Sequence, residues 1–226
     1  VNLFFTKDGY FKKITPQSLR MSGDQKLKEG DAVAQHVETT SGADLLFFTD
    51  RCTVYKARAS DFSDTKASVL GDYLPAKLGM EQDETPVYMA VTQEYGGFML
   101  FFFENGKVLK VDMESYRTKT NRRRLLGAYG DQSPLCVCVQ ADEDGEFLLT
   151  SSQGRMLLFH SGALQSKATR SSQGVCVMTL KRGSRLLRAE PYAEGMLKKP
   201  NRYRKKIPAS GALPAPEDME GEQMSL

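Results

Sequence analysis

Hydrophobic and polar positions repeat along the chain in one short pattern: an apolar run, a polar turn, then a run in which apolar and polar residues alternate. The pattern occupies residues 3–14, 46–57, 100–111 and 148–159, so successive copies start 43, 54 and 48 residues apart. The first run of each copy is rich in Leu and Phe, which is typical of a strand buried on both faces. Each copy therefore predicts a β-hairpin.

The turns of these hairpins contain residues that tolerate a positive φ angle. Asp8-Gly9 and Asn105-Gly106 are strong hairpin signals for that reason. Cys52 stands where the other three copies have Gly. Because a side chain resists positive φ, we expect the second turn to be more strained or differently shaped.

Further strands surround the hairpins. Residues 31–34, 87–91 and 135–139 predict a strand before the second, third and fourth hairpins, and residues 175–180 predict one after the fourth. Residues 186–188 read as a degenerate fifth copy. One such unit cannot bury both of its faces in water, whereas copies at a period near 48 residues can do so by packing side by side. The pattern predicts an all-β array of the propeller class with four or five blades.

Helical periodicity is scarce. Residues 66–80 contain Gly71 and Pro75 and predict at most a short helical turn. After Pro191 the sequence becomes basic, then Pro-rich and acidic. We therefore predict a folded domain over residues 1–197 and a mostly disordered tail over residues 198–226.

Composition narrows the class of protein. The 226 residues are 40 % hydrophobic and 26 % charged, as in ordinary globular proteins. No run approaches the roughly 20 apolar residues that cross a bilayer, no signal peptide opens the chain, and four scattered Cys suit a reducing cytosol. Residues 207–226 hold four acidic residues and no basic one, so the rest of the chain is more basic than the net charge of +3 indicates. This charge balance favours a polyanionic partner, and the sparse cysteines favour a cytoplasmic location.

Basic residues recur at one position of the repeat. Lys13, Lys56 and Lys110 are equivalent in the first three copies, and Leu158 breaks the series. A single strand Lys often serves solubility or edge protection, but equivalent positions in a closed array lie at equal radius and predict a belt of charge around the rim. Residues 117–124, 181–185 and 198–206 are further basic segments. The predicted DNA-contacting residues are Lys12, Lys13, Lys56, Arg58, Lys107, Lys110, Arg117, Lys119, Arg122, Arg123, Arg124, Arg155, Lys167 and Arg170.

No recognition helix or aromatic stacking motif accompanies these charges, so we expect contact with the phosphates of bent duplex DNA, largely independent of sequence. Candidates for catalysis are weak. His36 and His160 lack nearby metal ligands, Cys136 and Cys138 lack enough partners for zinc, and residues 142–144 read as a solvated acidic loop. We predict no catalytic residue, metal site or cofactor.

Several segments resemble one known family. The sequences FTKDGYFKKITP at residues 5–16, LFFTDRCTVY at 46–55 and QGVCVMTLKRG at 173–183 are similar to the blade and inter-blade motifs of the C-terminal domain of bacterial type IIA DNA topoisomerase A subunits. That family comprises the A subunits of DNA gyrase and topoisomerase IV. The resemblance covers roughly residues 1–190 and rests on several degenerate copies taken together.

The resemblance implies a β-pinwheel, a propeller-like ring whose blades exchange strands and whose positive rim binds and bends duplex DNA for strand passage. It implies two protein partners, the catalytic core of the same polypeptide and the ATPase B subunit, in the bacterial cytoplasm at the nucleoid. The family's active-site Tyr and its ATPase lie outside this domain, so the chain alone is not expected to be an enzyme. The gyrase heptad QRRGGKG is absent, with only QKLKEG at residues 25–30, which favours a topoisomerase IV-like or divergent gyrase-like protein.

Two other classes of function remain open from the residues. One is a propeller-like protein-interaction scaffold whose charges only solvate its surface and which has no affinity for duplex DNA. The other is an enzyme with its active site at the centre of a propeller, which lacks a catalytic constellation here. Reversing the charge of Lys13, Lys56 and Lys110 together is expected to matter only for a DNA-binding domain.

Overall fold

The computed structural model describes residues 1–120 and 122–219. Its secondary structure is almost entirely β, with three short α-helices. In chain order the elements are β1 (Asn2–Thr6), β2 (Tyr10–Ile14), α1 (Pro16–Met21), β3 (Val33–Glu38), β4 (Asp44–Thr49), β5 (Thr53–Arg58), β6 (Asp64–Thr65), β7 (Asp72–Tyr73), α2 (Leu74–Lys77), β8 (Pro86–Thr92), β9 (Phe98–Phe103), β10 (Lys107–Asp112), β11 (Arg124–Leu126), β12 (Leu135–Ala141), β13 (Glu146–Ser151), β14 (Met156–His160), β15 (Val175–Cys176), β16 (Leu186–Pro191) and α3 (Pro216–Met219).

The four predicted hairpins are present as β1–β2, β4–β5, β9–β10 and β13–β14. Their first strands are buried on both faces, as the Leu- and Phe-rich runs predict. Gly106 adopts a φ of +85°, and a Cβ there would lie 2.0 Å from the carbonyl oxygen of Met178, so only Gly fits. Cys52 adopts a φ of +52°, which confirms the strained second turn.

The chain divides into two compact units. Unit 1 contains Val1–Tyr95 and Arg117–Ala128, and unit 2 contains Gly96–Tyr116 and the chain from Tyr129 onward. Unit 1 holds two sheets, with strand orders β3-β1-β2-β6 (β7 also pairs with β2) and β11-β5-β4-β8. Unit 2 holds two more, with orders β12-β9-β10-β15 and β14-β13-β16.

Each of the first three sheets takes an outer strand from later in the chain than its neighbours. Strand β6 follows β5 yet pairs with β2, β11 follows β10 yet pairs with β5, and β15 follows β14 yet pairs with β10. A second strand after the hairpin pairs back onto the hairpin itself: β8, which follows β6 and β7, pairs with β4. Residues 186–188 are not a fifth copy: they begin β16, the third strand of the fourth sheet.

Each unit has its own apolar core. In unit 1, Leu3, Phe5 and Phe11 of the first sheet pack with Phe47 and Met89 of the second. The side-chain amide of Gln35 on β3 also exchanges two hydrogen bonds of 2.8 Å with the backbone of Met89 on β8. In unit 2, the core brings together side chains from β9, β10, β13 and β14, which include Leu100, Phe102, Val108, Leu149, Leu157 and Phe159.

Residues 198–219, here called the C-terminal strap, are ordered against unit 2, so the prediction of a disordered tail is wrong for them. Tyr203 is fully buried beside Leu148 and Leu158. The nitrogen of Leu158 donates to the carbonyl of Tyr203, and Met156 exchanges two backbone hydrogen bonds with Ala212. These contacts satisfy the open edge of β14. Residues 220–226 of the predicted tail lie outside the described residues.

The helical structure of residues 66–80 is limited to the one-turn helix α2, as predicted, and the two-residue strand β7 precedes it. No helix in the described part of the chain is long and apolar enough to span a membrane.

Candidate nucleic-acid interface

The backbone register confirms that the three repeated lysines occupy equivalent positions. Lys13 lies opposite Leu3, Lys56 opposite Leu46, and Lys110 opposite Leu100 in their hairpins. In the fourth hairpin Leu158 lies opposite Leu148. The predicted equivalence of these positions is therefore correct at the level of the backbone.

The side chains of two of these lysines are not exposed, contrary to expectation. Lys13 is 7 % exposed, and its Nζ lies 3.4 Å from a carboxylate oxygen of Asp64. Lys110 is also 7 % exposed, and its Nζ lies 2.7 Å from Oδ1 of Asp144. A buried ammonium that is already paired with a carboxylate has little capacity to bind phosphate, so the predicted exposed lysine column is wrong at these positions.

Lys12 is likewise buried, with 1 % exposure. Its Nζ donates to the carbonyl oxygens of Lys26, Ala67 and Val69 at 3.0–3.2 Å. Burial lowers the pKa of this ammonium from its ordinary value. Lys12 therefore ties two loops of unit 1 together instead of facing solvent.

Lys56 is half-buried and borders an open surface. Its Nζ donates to Oγ1 of Thr118 at 3.0 Å and lies 5.2 Å from the centre of the Tyr95 ring. The Thr118 hydroxyl and the Tyr95 ring are both uncharged groups. Thr118 belongs to the basic segment that the sequence singled out.

The predicted basic segment, residues 117–124, together with the rest of β11 up to residue 126, is here called the basic arm; Asn121 within it lies outside the described residues. It belongs to unit 1 because β11 pairs with β5. Arg117 donates from Nη2 to the carbonyl of Glu94 at 2.7 Å and stacks over Tyr95. Arg124 forms an ion pair of 3.1 Å with Glu81 and lies over the Tyr55 ring. These contacts hold Arg117 and Arg124 to other parts of unit 1, although both are exposed, as are Lys119, Arg122 and Arg123.

The arm and β5 border a cleft of about 260 Å³, here called the basic cleft. Its charged lining consists of four cations and two carboxylates: Lys56, Arg58, Arg122, Arg123, Asp44 and Asp61. The hydroxyl of Thr118 and that of Thr120 add neutral hydrogen-bonding groups. The sequence did not single out these threonines, although they alternate with the cations it selected.

Both carboxylates in the cleft are engaged by the protein itself. Asp44 accepts a hydrogen bond of 2.7 Å from the hydroxyl of Tyr95, and Arg58 lies 3.6 Å from its other oxygen. Asp61 accepts from the backbone nitrogen of Arg58 at 2.9 Å. Burial, then the hydrogen bond to Asp44, raises the pKa of Tyr95, which keeps this donor protonated. The lining therefore retains an excess of positive charge toward solvent.

The remaining predicted residues lie in unit 2 and do not form one cluster. Arg155 is half-buried and donates to the carbonyls of Ser210 and Gly211, so it holds the C-terminal strap. Arg170 is half-buried and donates to the carbonyl of Ser115. Lys167 is exposed, although its backbone bonds to Lys110 and Asp112, and Lys107 is half-buried on β10.

The residues that the structure describes contain no group of three or more His, Cys, Asp or Glu side chains that could hold a metal ion. Cys138 is buried and Cys176 is exposed, and the described cysteines are all free. His36 stacks on Phe4 and pairs with Asn2, a structural role.

Comparisons with known proteins agree with the fold. A family model described as the DNA gyrase C-terminal domain, beta-propeller, matches residues 145–191. The A subunit of DNA topoisomerase 4 from Bacillus subtilis is 26 % identical over 151 residues, covering 64 % of this chain and 19 % of the relative. The DNA gyrase A subunit of Mycoplasma genitalium is 23 % identical over 191 residues, covering 81 % of this chain and 23 % of the relative. The chain thus spans about a fifth of the length of these relatives.

Solved structures give the same result for the architecture. The C-terminal domain of DNA topoisomerase IV superposes with a TM-score of 0.74 at 23 % identity, covering 86 % of this chain and 61 % of that one. The E. coli ParC C-terminal domain superposes with a TM-score of 0.71 at 14 % identity, covering 94 % and 93 %. The predicted all-β pinwheel is therefore confirmed. In fold, the chain is similar to the C-terminal domains of DNA topoisomerase IV and E. coli ParC, and the sequence of residues 145–191 matches the model described as the DNA gyrase C-terminal domain, beta-propeller.

Proposed function

We propose that this chain binds duplex DNA through the phosphates, with the basic cleft of unit 1 as a principal contact. The observation that carries the proposal is the convergence of Lys56 and Arg58 on β5 with Arg122 and Arg123 of the basic arm. These side chains come from segments far apart in sequence and line one surface. Guanidinium groups suit phosphate because their donors match two of its oxygens.

The binding mode follows from what the cleft offers. Cations and hydroxyl groups contact phosphate oxygens, which carry no direct sequence information. Binding is therefore expected to be largely independent of sequence and driven by release of counterions. As part of a type IIA topoisomerase, the chain would bend the bound duplex and present it to the catalytic core of the same polypeptide, which works with the ATPase B subunit at the nucleoid. The matched region is the C-terminal domain of such proteins and not their catalytic region.

A binding titration over a range of salt concentrations tests the proposal. The wild-type chain should bind random duplex, with log affinity falling linearly as log salt rises. The triple variant Arg58→Ala/Arg122→Ala/Arg123→Ala should flatten that slope by about two to three, because each lost phosphate contact removes about 0.9. No binding at low salt, or binding that salt does not change, would overturn the proposal.

Bending has its own measurement. Duplexes near the persistence length of about 150 bp circularise poorly on ligation. The wild-type chain should raise the yield of closed circles, and the triple variant should raise it less. Binding without any gain in circularisation would support the proposed DNA binding and overturn the proposed bending.

The scaffold alternative has one observation in its favour. A groove of about 430 Å³ on unit 2 is bordered by Leu187, Leu213 and Met219, which are 43 %, 52 % and 56 % exposed. Exposed apolar side chains that share one groove are a common feature of protein-binding surfaces. If duplex binding fails, this groove is the place to look for a protein partner.

A further inference from the structure

The C-terminal strap is fixed to unit 2 by two anchor side chains. Tyr203 is fully buried, its hydroxyl donates to the carboxylate of Asp218, and the same oxygen accepts from the nitrogen of Ala215 at 2.9 Å. Arg204 donates from Nε and Nη2 to the two carboxylate oxygens of Glu146 at 2.9 and 2.8 Å. This bidentate arrangement pairs the charge of Arg204 with that of Glu146.

The other basic residues of the strap are exposed to solvent. Residues 198–206 contain six basic side chains and no acidic one. Lys199 forms an ion pair of 3.1 Å with Glu217, but both side chains are about half exposed, so this pair contributes little. Four more are exposed and are here called the strap cations: Lys198, Arg202, Lys205 and Lys206.

We infer that the strap cations form a second phosphate-binding surface, on unit 2, for the duplex that the basic cleft binds; this inference rests on the proposed function. The cations stand on a backbone already held by hydrogen bonds, so binding orders less of the chain than it would in a flexible tail. Two surfaces on one chain also act together, because contact at the first raises the effective concentration of DNA at the second. The sequence marked residues 198–206 as a basic segment but predicted that it is disordered, so it did not predict cations held on an ordered backbone.

The test removes strap charges whose side chains carry no anchoring role. The variant Lys198→Ala/Lys205→Ala/Lys206→Ala should flatten the dependence of log affinity on log salt by about two to three. Its affinity for random duplex in low salt should fall at least tenfold. The charge-preserving variant Lys198→Arg/Lys205→Arg/Lys206→Arg should bind as the wild type does.

A matched control separates a local surface from net charge. The variant Lys7→Ala/Lys28→Ala/Lys66→Ala removes the same charge from exposed positions of unit 1 and should change affinity less than twofold. An equal loss in the control and the strap variant would overturn the inference. So would a strap variant that binds like wild type while the basic-cleft triple variant is impaired; the proposed function would then stand. A wild-type chain that fails to bind duplex would overturn both the inference and the proposed function.

A second variant tests the role of order. Glu146→Gln keeps every strap cation but replaces the carboxylate that holds Arg204. It should weaken binding by a smaller factor than the triple variant while leaving the salt slope nearly unchanged. A wild-type affinity in Glu146→Gln, with hydrogen exchange of the strap amides clearly faster, would contradict the role given to anchoring.

Discussion

The ammonium of Lys110 lies 2.7 Å from Oδ1 of Asp144 and also donates to the carbonyls of Ser161 and Leu164. It stands 4.5 Å from the centre of the Phe98 ring. Hydrogen bonds from Lys110 and Ser161 lower the pKa of the Asp144 carboxyl below its ordinary value. A strand lysine that reads as a surface charge in the sequence is thus an internal link between β10 and the segments on either side of β13 and β14.

Replacing Lys110 should therefore change stability and not DNA affinity. Breaking a fully buried ion pair costs roughly 3–5 kcal/mol. Because the Asp144 side chain is 40 % exposed, we expect Lys110→Ala to lower the free energy of unfolding by about 2 kcal/mol. Urea denaturation measures this, with Lys107→Ala on the same strand as control. A folded Lys110→Ala protein of normal stability that binds duplex poorly would show that Lys110 contacts DNA after all.

The Arg204–Glu146 pair predicts a dependence of stability on pH. The hydrogen bond from Arg204 lowers the pKa of the Glu146 carboxyl from its ordinary value of 4.5. A carboxyl with a lowered folded-state pKa contributes stability above its ordinary pKa, and this contribution is lost as the pH falls through the folded-state pKa. Wild type should exceed Glu146→Gln by about 1–2 kcal/mol at neutral pH.

That difference should shrink steadily below about pH 4.5, the ordinary pKa of the group. Urea unfolding at several pH values, on wild type and Glu146→Gln in parallel, measures it. A difference between the two proteins that stays constant down to about pH 3, well below that ordinary pKa, would mean that the carboxylate does not stabilise the folded state through its charge.

The second hairpin turn should be stabilised by glycine. Cys52 holds a φ of +52°, where a side chain costs energy that Gly does not. Against this, Gly gains more freedom in the unfolded chain, so we expect Cys52→Gly to raise the free energy of unfolding by only about 0.5 kcal/mol. Thermal unfolding of the two proteins provides the comparison. A clear loss of stability would show that the Cys52 side chain makes contacts worth more than the backbone strain.

Two glycines with nearly the same φ angle should lose different amounts of stability when each is replaced by alanine. Gly211 (φ +75°) and Gly154 (φ +77°) both adopt left-handed angles. A Cβ at Gly211 would lie 2.2 Å from the carbonyl oxygen of Met156, whereas one at Gly154 would have no atom within 4 Å. Gly154→Ala should cost about 1 kcal/mol from backbone strain alone.

Gly211→Ala should cost more than Gly154→Ala and should also speed hydrogen exchange in the C-terminal strap, since it pushes the strap away from β14. Hydrogen exchange measured by mass spectrometry distinguishes the C-terminal strap from the turn between β13 and β14 that contains Gly154. Equal effects at the two glycines would mean that the strap adjusts freely and is not held in the position described.

Local sequence patterns were sufficient for the hairpins, and the register bears them out residue by residue, as at Lys13 opposite Leu3. They could not reveal that Lys13 and Lys110 are buried, because the carboxylates that pair with them, Asp64 and Asp144, come from segments distant in sequence. Alternation along a strand specifies its two faces, but what covers each face depends on the rest of the fold.

The order of the C-terminal strap is another feature that local sequence patterns could not predict. Residues 198–219 are polar and contain four prolines, a composition that favours disorder. Their order depends on Tyr203 and on Glu146, a partner of Arg204 that lies 58 residues earlier. No periodic pattern in the sequence predicts the contact between Arg204 and Glu146. The basic arm was identified from charge alone, but its position beside Lys56 became visible only through the pairing of β11 with β5.

Exchange of outer strands has a consequence for biosynthesis. Strand β5 is completed by β11, which emerges from the ribosome only after the whole β9–β10 hairpin has been made. Until then the backbone groups of β5 that pair with β11 are unpaired in the nascent sheet. Unpaired strand edges of this kind promote aggregation and chaperone binding. Pairings between remote segments also slow folding, so the maturing polypeptide should acquire its final structure stepwise, because each of the first three sheets is completed only after the following hairpin has been translated.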